Sequence, residues 1–238
     1  MRILKFSFLL TGIIFLVLLT SCDKTLNEGD LENAFIKGSS EKLKLEQYAY
    51  YDTINCETAY NETFNQSSGI WWTGSDYYFS ASQAHGFYKL QAKQGFYYWQ
   101  ELNFDQNRDF QIESDAILTY PDWQSDPPYQ IGLVYAVNSQ STPKTYTEFV
   151  VNNDRHVYSA IVYDQSTNKQ LANGAIDTFL GQYKQTLTIR KIADKVSFFY
   201  NRQYIGSSDY SFISTKIGFL VSIDCTMSID EISVKYLN

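Results

Sequence analysis

Hydrophobic and polar residues alternate with a period of two along much of the chain after residue 48. The clearest case is the segment DFQIESDAIL. Its alternate positions separate into an apolar and a polar set, namely Phe110, Ile112, Ala116 and Leu118 against Gln111, Glu113 and Asp115. Because successive side chains of a β-strand point to opposite faces, this alternation predicts a half-buried antiparallel strand.

About a dozen short runs of this kind follow one another, separated by clusters of Asn, Asp, Ser, Gly and Pro. Two of them, Leu187–Ile192 and Val196–Tyr200, flank a tight turn and predict a hairpin. No segment after residue 50 has an apolar stripe of helical period and helix length. The pattern therefore predicts one all-β domain, a sandwich or barrel, over residues 48–238, which is long enough to bury its own core.

The N-terminal residues have the pattern of a secretory signal. Arg2 and Lys5 precede an apolar run from Phe6 to Leu19, and the run ends in small residues before Cys22. It is too short for a typical membrane span. The segment LTSC resembles the lipobox of bacterial lipoproteins, which implies cleavage before Cys22 and acylation of this residue. We expect residues 1–21 to be a signal peptide and 22–47 a polar tether.

The net charge of the mature chain argues against one class of partner. Removing Arg2 and Lys5 with the signal peptide takes away two positive charges, so the formal charge moves from −7 to −9. Such an acidic chain lacks the basic surface that a phosphate backbone requires, and we expect no nucleic-acid partner. Multiple acyl chains on Cys22 would hold the protein in the cell envelope. Asp23, the residue directly after Cys22, does not decide between the inner and the outer membrane.

Two further cysteines, Cys56 and Cys225, remain after lipidation. An exported compartment permits a disulfide between them. The alternative is that they are two buried thiols that never meet. The histidines, His85 and His156, and these cysteines lack metal-ligand spacing, so no metal cofactor is expected from them.

The second half of the chain carries a recognisable pattern. The segments YKQTLTIRKIADKVSFFYNRQYIGS, IGFLVS and MSIDEISVKY resemble the C-terminal half of a concanavalin A-like, or laminin G-like, jelly-roll domain. Upstream segments such as FNQSSGIWWTG and YQIGLVYAVN follow the same pattern, so the resemblance covers roughly residues 60–238. It implies an antiparallel two-sheet sandwich. It does not imply one function, because this fold includes lectins, adhesins, glycosidases and structural spacers.

The hairpin departs from the family pattern at two turn positions. Ala193 stands where a glycine is usual, and Asn201-Arg202 replaces Asn-Gly. A type I′ turn needs positive φ at both central residues, and arginine there costs about 1 kcal/mol relative to glycine. We expect this hairpin to be structural and not a place where a ligand approaches the backbone.

The segment IESDAIL offers the best enzymatic comparison. It resembles the ExDxE strand of one glycosidase family, with Glu113 and Asp115 at the first two acidic positions. The third falls on Ile117, or on Leu118 if the strand is bulged, and neither can donate a proton. A polar surface pair is the favoured interpretation. The related 3-keto-disaccharide hydrolase family tends to carry a histidine before the last strand, where this chain has none.

Aspartate in the last strand of several carbohydrate-binding sandwiches ligates a structural Ca²⁺, and Asp230 is the corresponding residue here. Calcium takes six to eight oxygen ligands, of which one strand supplies one or two. A polar surface carboxylate is the favoured interpretation of Asp230.

Aromatic residues make up 17% of the chain, with 20 Tyr. Those in loops or beside them suit sugar rings, which present apolar C–H faces ringed by hydroxyls. The candidate ligand-binding residues are Trp123, Tyr120, Tyr129, Trp72, Tyr97 and Trp99. Alternatively, these rings close the ends of the sandwich or contact a protein.

Together these features predict a membrane-anchored, non-catalytic glycan-binding lipoprotein, whose partner is a glycan or another component of the cell envelope. Two alternatives stay open. One is a glycoside-active hydrolase on the same fold, and the other is a structural, adhesion or immunity-type lipoprotein that binds protein.

Overall fold

The computed structural model describes residues 56–121, 129–138, 145–154, 157–167, 169–176, 183–209 and 214–237. All of them lie in the unit Lys44–Asn238. The expected signal peptide, the tether and Cys22 lie outside the described residues. They stay predictions.

The described residues form strands and connecting turns, as the period-two alternation predicts. They contain no helix that is long and apolar enough to cross a membrane. In chain order the strands are β1 (Glu57–Glu62), β2 (Gly74–Ser75), β3 (Phe79–Ala84), β4 (Phe87–Ala92), β5 (Phe96–Glu101), β6 (Phe110–Thr119), β7 (Tyr129–Asn138), β8 (Thr145–Asp154), β9 (Val157–Asp164), β10 (Lys169–Ala175), β11 (Gln185–Ile192), β12 (Lys195–Tyr200), β13 (Gln203–Asp209), β14 (Lys216–Val221) and β15 (Thr226–Tyr236).

Among the described residues the strands make two sheets, and the neighbouring strands pair antiparallel. The larger sheet has nine strands in the order β13-β12-β11-β6-β15-β4-β3-β2, with β1 beside the second half of β15. The smaller has six, in the order β10-β9-β8-β7-β14-β5. The sheets pack face to face, and Phe149 of β8 meets Phe198 of β12 with ring centroids 5.5 Å apart.

Strand β6 shows how the sequence builds this core. Phe110, Ile112, Ala116 and Leu118 are all buried between the sheets, as the alternation predicts. The opposite face of β6 differs from the expected solvated surface, because Gln111 is also buried. The reason is a side-chain network, described next.

A buried arginine lies on the outer face of the larger sheet. The Nε and Nη2 atoms of Arg190 donate to Oε1 of Gln111 at 2.9 and 2.6 Å. The guanidinium carbon lies 5.2 Å from the ring centroid of Phe199, within the range of a cation–π contact. Gln111 in turn donates to Oε2 of Glu113 at 2.9 Å. Hydrogen bonding thus replaces water along this part of β6.

The hairpin predicted from the sequence is formed by β11 and β12, and β13 follows it. Two-residue turns connect these strands, since Ile192 pairs with Lys195 and Tyr200 with Gln203. The central residues Asn201 and Arg202 have φ of 47° and 68°. Both positive values fit the type I′ turn that the sequence predicts.

Cys56 and Cys225 are not joined by a disulfide. Cys56 directly precedes Glu57, which pairs with Tyr236 at the end of β15, whereas Cys225 directly precedes the start of β15. The length of β15 separates them by about 30 Å, while a disulfide requires Cα atoms within about 7 Å. The first and last strands pair, but their register keeps the two cysteines apart.

Candidate ligand-binding face

Two of the aromatic candidates pack in or against the hydrophobic core. Tyr129 is buried between the sheets, and Tyr120 packs partly buried against the same core. The hydroxyl of Tyr120 donates to the carbonyl of Val151 at 2.6 Å. These contacts account for both side chains without a ligand.

Trp72 lies elsewhere, near the edge strand β2. Its indole contacts the ring of Phe79, with centroids 5.0 Å apart. Its backbone N–H donates to the hydroxyl of Tyr98, and its carbonyl accepts from the hydroxyl of Tyr88. Trp123 and the side chain of Tyr97 lie outside what the structure describes. The described candidates therefore do not converge on one point.

On β6, the carboxylates of Glu113 and Asp115 accept hydrogen bonds from two threonines. Thr188 donates to Glu113 at 3.2 Å, and Thr186 donates to Asp115 at 2.6 Å. The two residues directly opposite Glu113 in the sheet are Thr188 and Ser233, so no carboxylate lies beside it in the register. The residues opposite Asp115 are Thr186 and Glu231, so a further acidic residue lies beside the pair.

The carboxylate of Asp230 is engaged by a lysine. Lys184 Nζ lies 3.0 Å from Asp230 and 3.1 Å from Asp115. The two carboxylates raise the pKa of Lys184, mainly through its hydrogen bonds. An ammonium group thus occupies the position that a cation would need. In the part of the chain that the structure describes, no cluster of three or more His, Cys, Asp or Glu could hold a metal ion.

The turn between β3 and β4 borders an open polar pocket. His85 and Gly86 line it together with Asn65 and Gln83. His85 has φ of 54°, in the left-handed region. The amide of Gln83 donates to the carbonyl of Phe64, so that side chain is already used within the protein.

The outer face of the smaller sheet brings together the groups that best suit a ligand. Along β8, Phe149 and Val151 point into the core, so Glu148, Val150 and Asn152 point outward. Strand register places five residues in one row across this face: Trp99, Gly218, Val134, Glu148 and Tyr163.

Two glycines shape the floor of this face. A Cβ at Gly218 would collide with the carbonyl oxygen of Tyr98, and one at Gly132 would collide with that of Phe149. Both positions must therefore stay without a side chain. They lie beside the buried side chains of Val134, Val150 and Leu220, against which Trp99 packs.

Glu148 is a buried acid on this outer face, with 3% of its surface exposed. Burial raises its pKa, and a side-chain hydrogen bond from Gln165 opposes this shift in part. A desolvated carboxyl group that is more easily protonated than usual can both donate and accept hydrogen bonds.

Asn152 supplies a second buried polar group, 8% exposed. Its Oδ1 atom has no hydrogen-bond partner among the described residues. Leaving such an atom buried and unpaired costs about 1–3 kcal/mol, which a ligand donor would recover. We define the binding face as Trp99, Gly218, Val134, Glu148, Val150 and Asn152.

Of these residues, the sequence pattern singled out only Trp99. Glu148 and Asn152 were missed because the apolar run in TEFVVNN looks like a core strand. The signal lay in its alternation, since Phe149 and Val151 predict an inward face and thus place Glu148 and Asn152 outward. The burial of an outward acid depends on neighbouring strands and has no local signature.

Several solved structures share this fold. A Bacillus subtilis protein of unknown function with a galectin-like fold aligns with a TM-score of 0.55 at 13% identity, covering 77% of this chain and 100% of that one. The catalytic domain of an endo-1,3-beta-glucanase (laminarinase) from Thermotoga petrophila RKU-1 gives 0.53 at 10% identity, covering 78% and 100%. The carbohydrate recognition domain of Emp47p gives 0.50 at 12% identity, covering 77% and 97%.

At these identities the likeness shows the fold alone. It confirms the antiparallel two-sheet jelly-roll sandwich that the sequence predicts. No protein-family model matches the chain, and no curated protein matches it significantly.

Proposed function

We propose that this protein binds a glycan on the outer face of the smaller sheet and does not hydrolyse it. The observation that carries this proposal is the union of an aromatic side chain, Trp99, with two buried polar groups, Glu148 and Asn152, on one sheet face. Aromatic rings contact the apolar faces of sugars, and the polar groups fix hydroxyls.

The fold supports this proposal at a general level. The similar structures include a carbohydrate recognition domain and a glucanase domain. They differ in whether they bind or cleave carbohydrate, so the choice depends on the carboxyl groups of this chain.

Those carboxyl groups favour binding. Hydrolysis by the common mechanism uses two carboxyl groups, about 5–10 Å apart across the scissile bond. The residues directly opposite Glu148 are Val134 and Tyr163, and the next outward positions along its strand are Tyr146 and Val150. None of these side chains carries a second carboxyl group.

The cellular setting that we propose rests on the sequence. The lipobox-like segment ending at Cys22 supports a lipid-anchored protein in the cell envelope, on the periplasmic or the outer-surface side. Its partners would then be the membrane, through the anchor, and a glycan of the envelope or its surroundings.

A glycan array probed with the purified full-length protein in mild detergent tests the binding function. We expect Trp99→Ala to weaken binding by about 1–3 kcal/mol, or roughly 5- to 150-fold. Tyr77→Ala is the matched aromatic control, because Tyr77 is 72% exposed near the edge strand β2. If Trp72→Ala abolishes binding and Trp99→Ala does not, the site lies near β2. Release of reducing sugar from a bound glycan would contradict the non-catalytic assignment.

Metabolic labelling with palmitate tests the anchor. We expect the wild-type protein to incorporate label and Cys22→Ala to incorporate none and to accumulate as an unprocessed precursor. Equal label in both proteins would contradict lipidation at Cys22.

A further inference from the structure

Two buried polar groups of the binding face can accept hydrogen bonds from a ligand. Asn152 Oδ1 is an acceptor with no partner among the described residues. The carboxyl group of Glu148 is withdrawn from water by the neighbouring strands. Burial disfavours the charged form of Glu148 and thereby raises its pKa. Sugar hydroxyls satisfy both groups without introducing charge.

The remaining charges described on this face offset one another. Lys216 on β14 and Glu101 on β5 point outward, and they lie directly opposite each other in the register. Opposite charges in such a cross-strand pair attract. An anionic ligand would therefore compete with Glu101 for Lys216 and would also face the carboxyl group of Glu148. With a formal charge of −7, the whole chain also repels anions.

The spacing of the three anchoring residues sets the size of the ligand. Trp99 and Glu148 lie three strands apart, which places their Cα atoms about 14 Å apart across the sheet. Glu148 and Asn152 lie four residues apart, or about 13 Å along β8. Val150 and the two glycines offer an apolar floor between them. These Cα separations exceed the width of one sugar ring, so contact with all three anchors needs more than one sugar unit.

We infer that the ligand of this face is a neutral oligosaccharide, and that the face discriminates against glycans carrying carboxylate or sulfate groups. This inference rests on the function proposed above. The hydroxyls of separate sugar units donate to Glu148 and to Asn152, and another unit lies against Trp99.

An array that carries neutral glycans beside their uronate, sialylated, sulfated and amino-sugar counterparts tests this inference. We expect the bound glycans to be neutral and at least disaccharides, with monosaccharides of the same type at least tenfold weaker. Binding of these glycans should be sensitive to Trp99→Ala. The inference would be overturned if acidic or amino-sugar glycans bind best and their binding is also sensitive to Trp99→Ala. The proposed function would then stay intact. Binding to no glycan, or binding insensitive to Trp99→Ala, would overturn both.

Paired variants of Glu148 distinguish a neutral ligand from a cationic one. Glu148→Gln keeps an acceptor oxygen and a donor but cannot ionise, whereas Glu148→Leu has neither. For a neutral ligand we expect Glu148→Gln to weaken binding less than tenfold and Glu148→Leu to weaken it by more. Equal losses in the two variants would contradict this and indicate an ion pair with a cationic sugar. Asn152→Leu should weaken binding roughly 5- to 150-fold. Urea midpoints of each variant separate a loss of binding from a loss of folding.

Discussion

Trp71 and Trp72 are adjacent in the chain, yet their side chains lie in opposite environments. Trp71 is 3% exposed, packs against Tyr88 and Phe219, and donates from its indole N–H to the hydroxyl of Tyr60 at 3.0 Å. Trp72 is 40% exposed. The aromatic content of this region thus divides between the core and the surface.

Alanine substitution should separate the two tryptophans. We expect Trp71→Ala to lower the free energy of unfolding by about 3–5 kcal/mol, because it opens a cavity among packed rings. Trp72→Ala should cost clearly less than Trp71→Ala, since Trp72 is 40% exposed and the removal of its indole leaves no closed cavity. Urea midpoints measure both. Similar losses in the two variants would show that Trp72 also supports the core.

The turn between β12 and β13 offers a stabilising substitution. Arg202 has φ of 68°, a conformation that glycine adopts without the steric cost that a Cβ brings. We expect Arg202→Gly to stabilise the fold by about 1 kcal/mol. Arg202→Ala is the matched control, because it removes the same side chain and keeps the Cβ. If both variants shift the urea midpoint equally, the effect comes from the lost arginine contacts and not from the backbone.

The cysteines should behave as two thiols of unequal reactivity. Burial raises the pKa of the Cys225 thiol to about 12, so this thiol stays protonated near neutral pH. We expect iodoacetamide at pH 8 to leave Cys225 unmodified in the folded protein and to modify both Cys56 and Cys225 in denaturant. Peptide mapping by mass spectrometry gives the result at each site. A peptide in which Cys56 and Cys225 are linked would contradict the strand register.

The sequence predicts the fold well because alternation is a local signal. The face of Ile112 and the turn at Asn201-Arg202 both follow from neighbouring residues and the stereochemistry of L-amino acids. The separation of Cys56 and Cys225 does not. The separation depends on which end of β15 lies beside β1, and no residue near either cysteine indicates this pairing.

The binding face was harder to predict for the same reason. Trp99 stands out by its residue type, but Glu148 looks like any outward polar residue of a sandwich strand. Its burial arises from neighbours on β7 and β9, which are brought beside it only by the sheet. Likewise, Gly218 and Gly132 look unrelated in the chain, and only the register places them on one floor.

Glu148 should make the stability of the fold depend on pH. Its pKa is raised in the folded state, so the folded protein binds this proton more tightly than the unfolded chain does. The resulting stabilisation is fully present below the unfolded pKa of about 4.3 and is lost as pH rises through the folded pKa. Glu148→Gln removes this dependence because its amide stays neutral.

We therefore expect the stability of Glu148→Gln relative to wild type to increase as pH rises from 4 to 8. Urea midpoints at each pH measure this difference. A difference for Glu148→Gln that stays flat would mean that the Glu148 carboxyl is as well solvated in the folded protein as in the unfolded chain. The desolvation of Glu148 on which the further inference draws would then be absent.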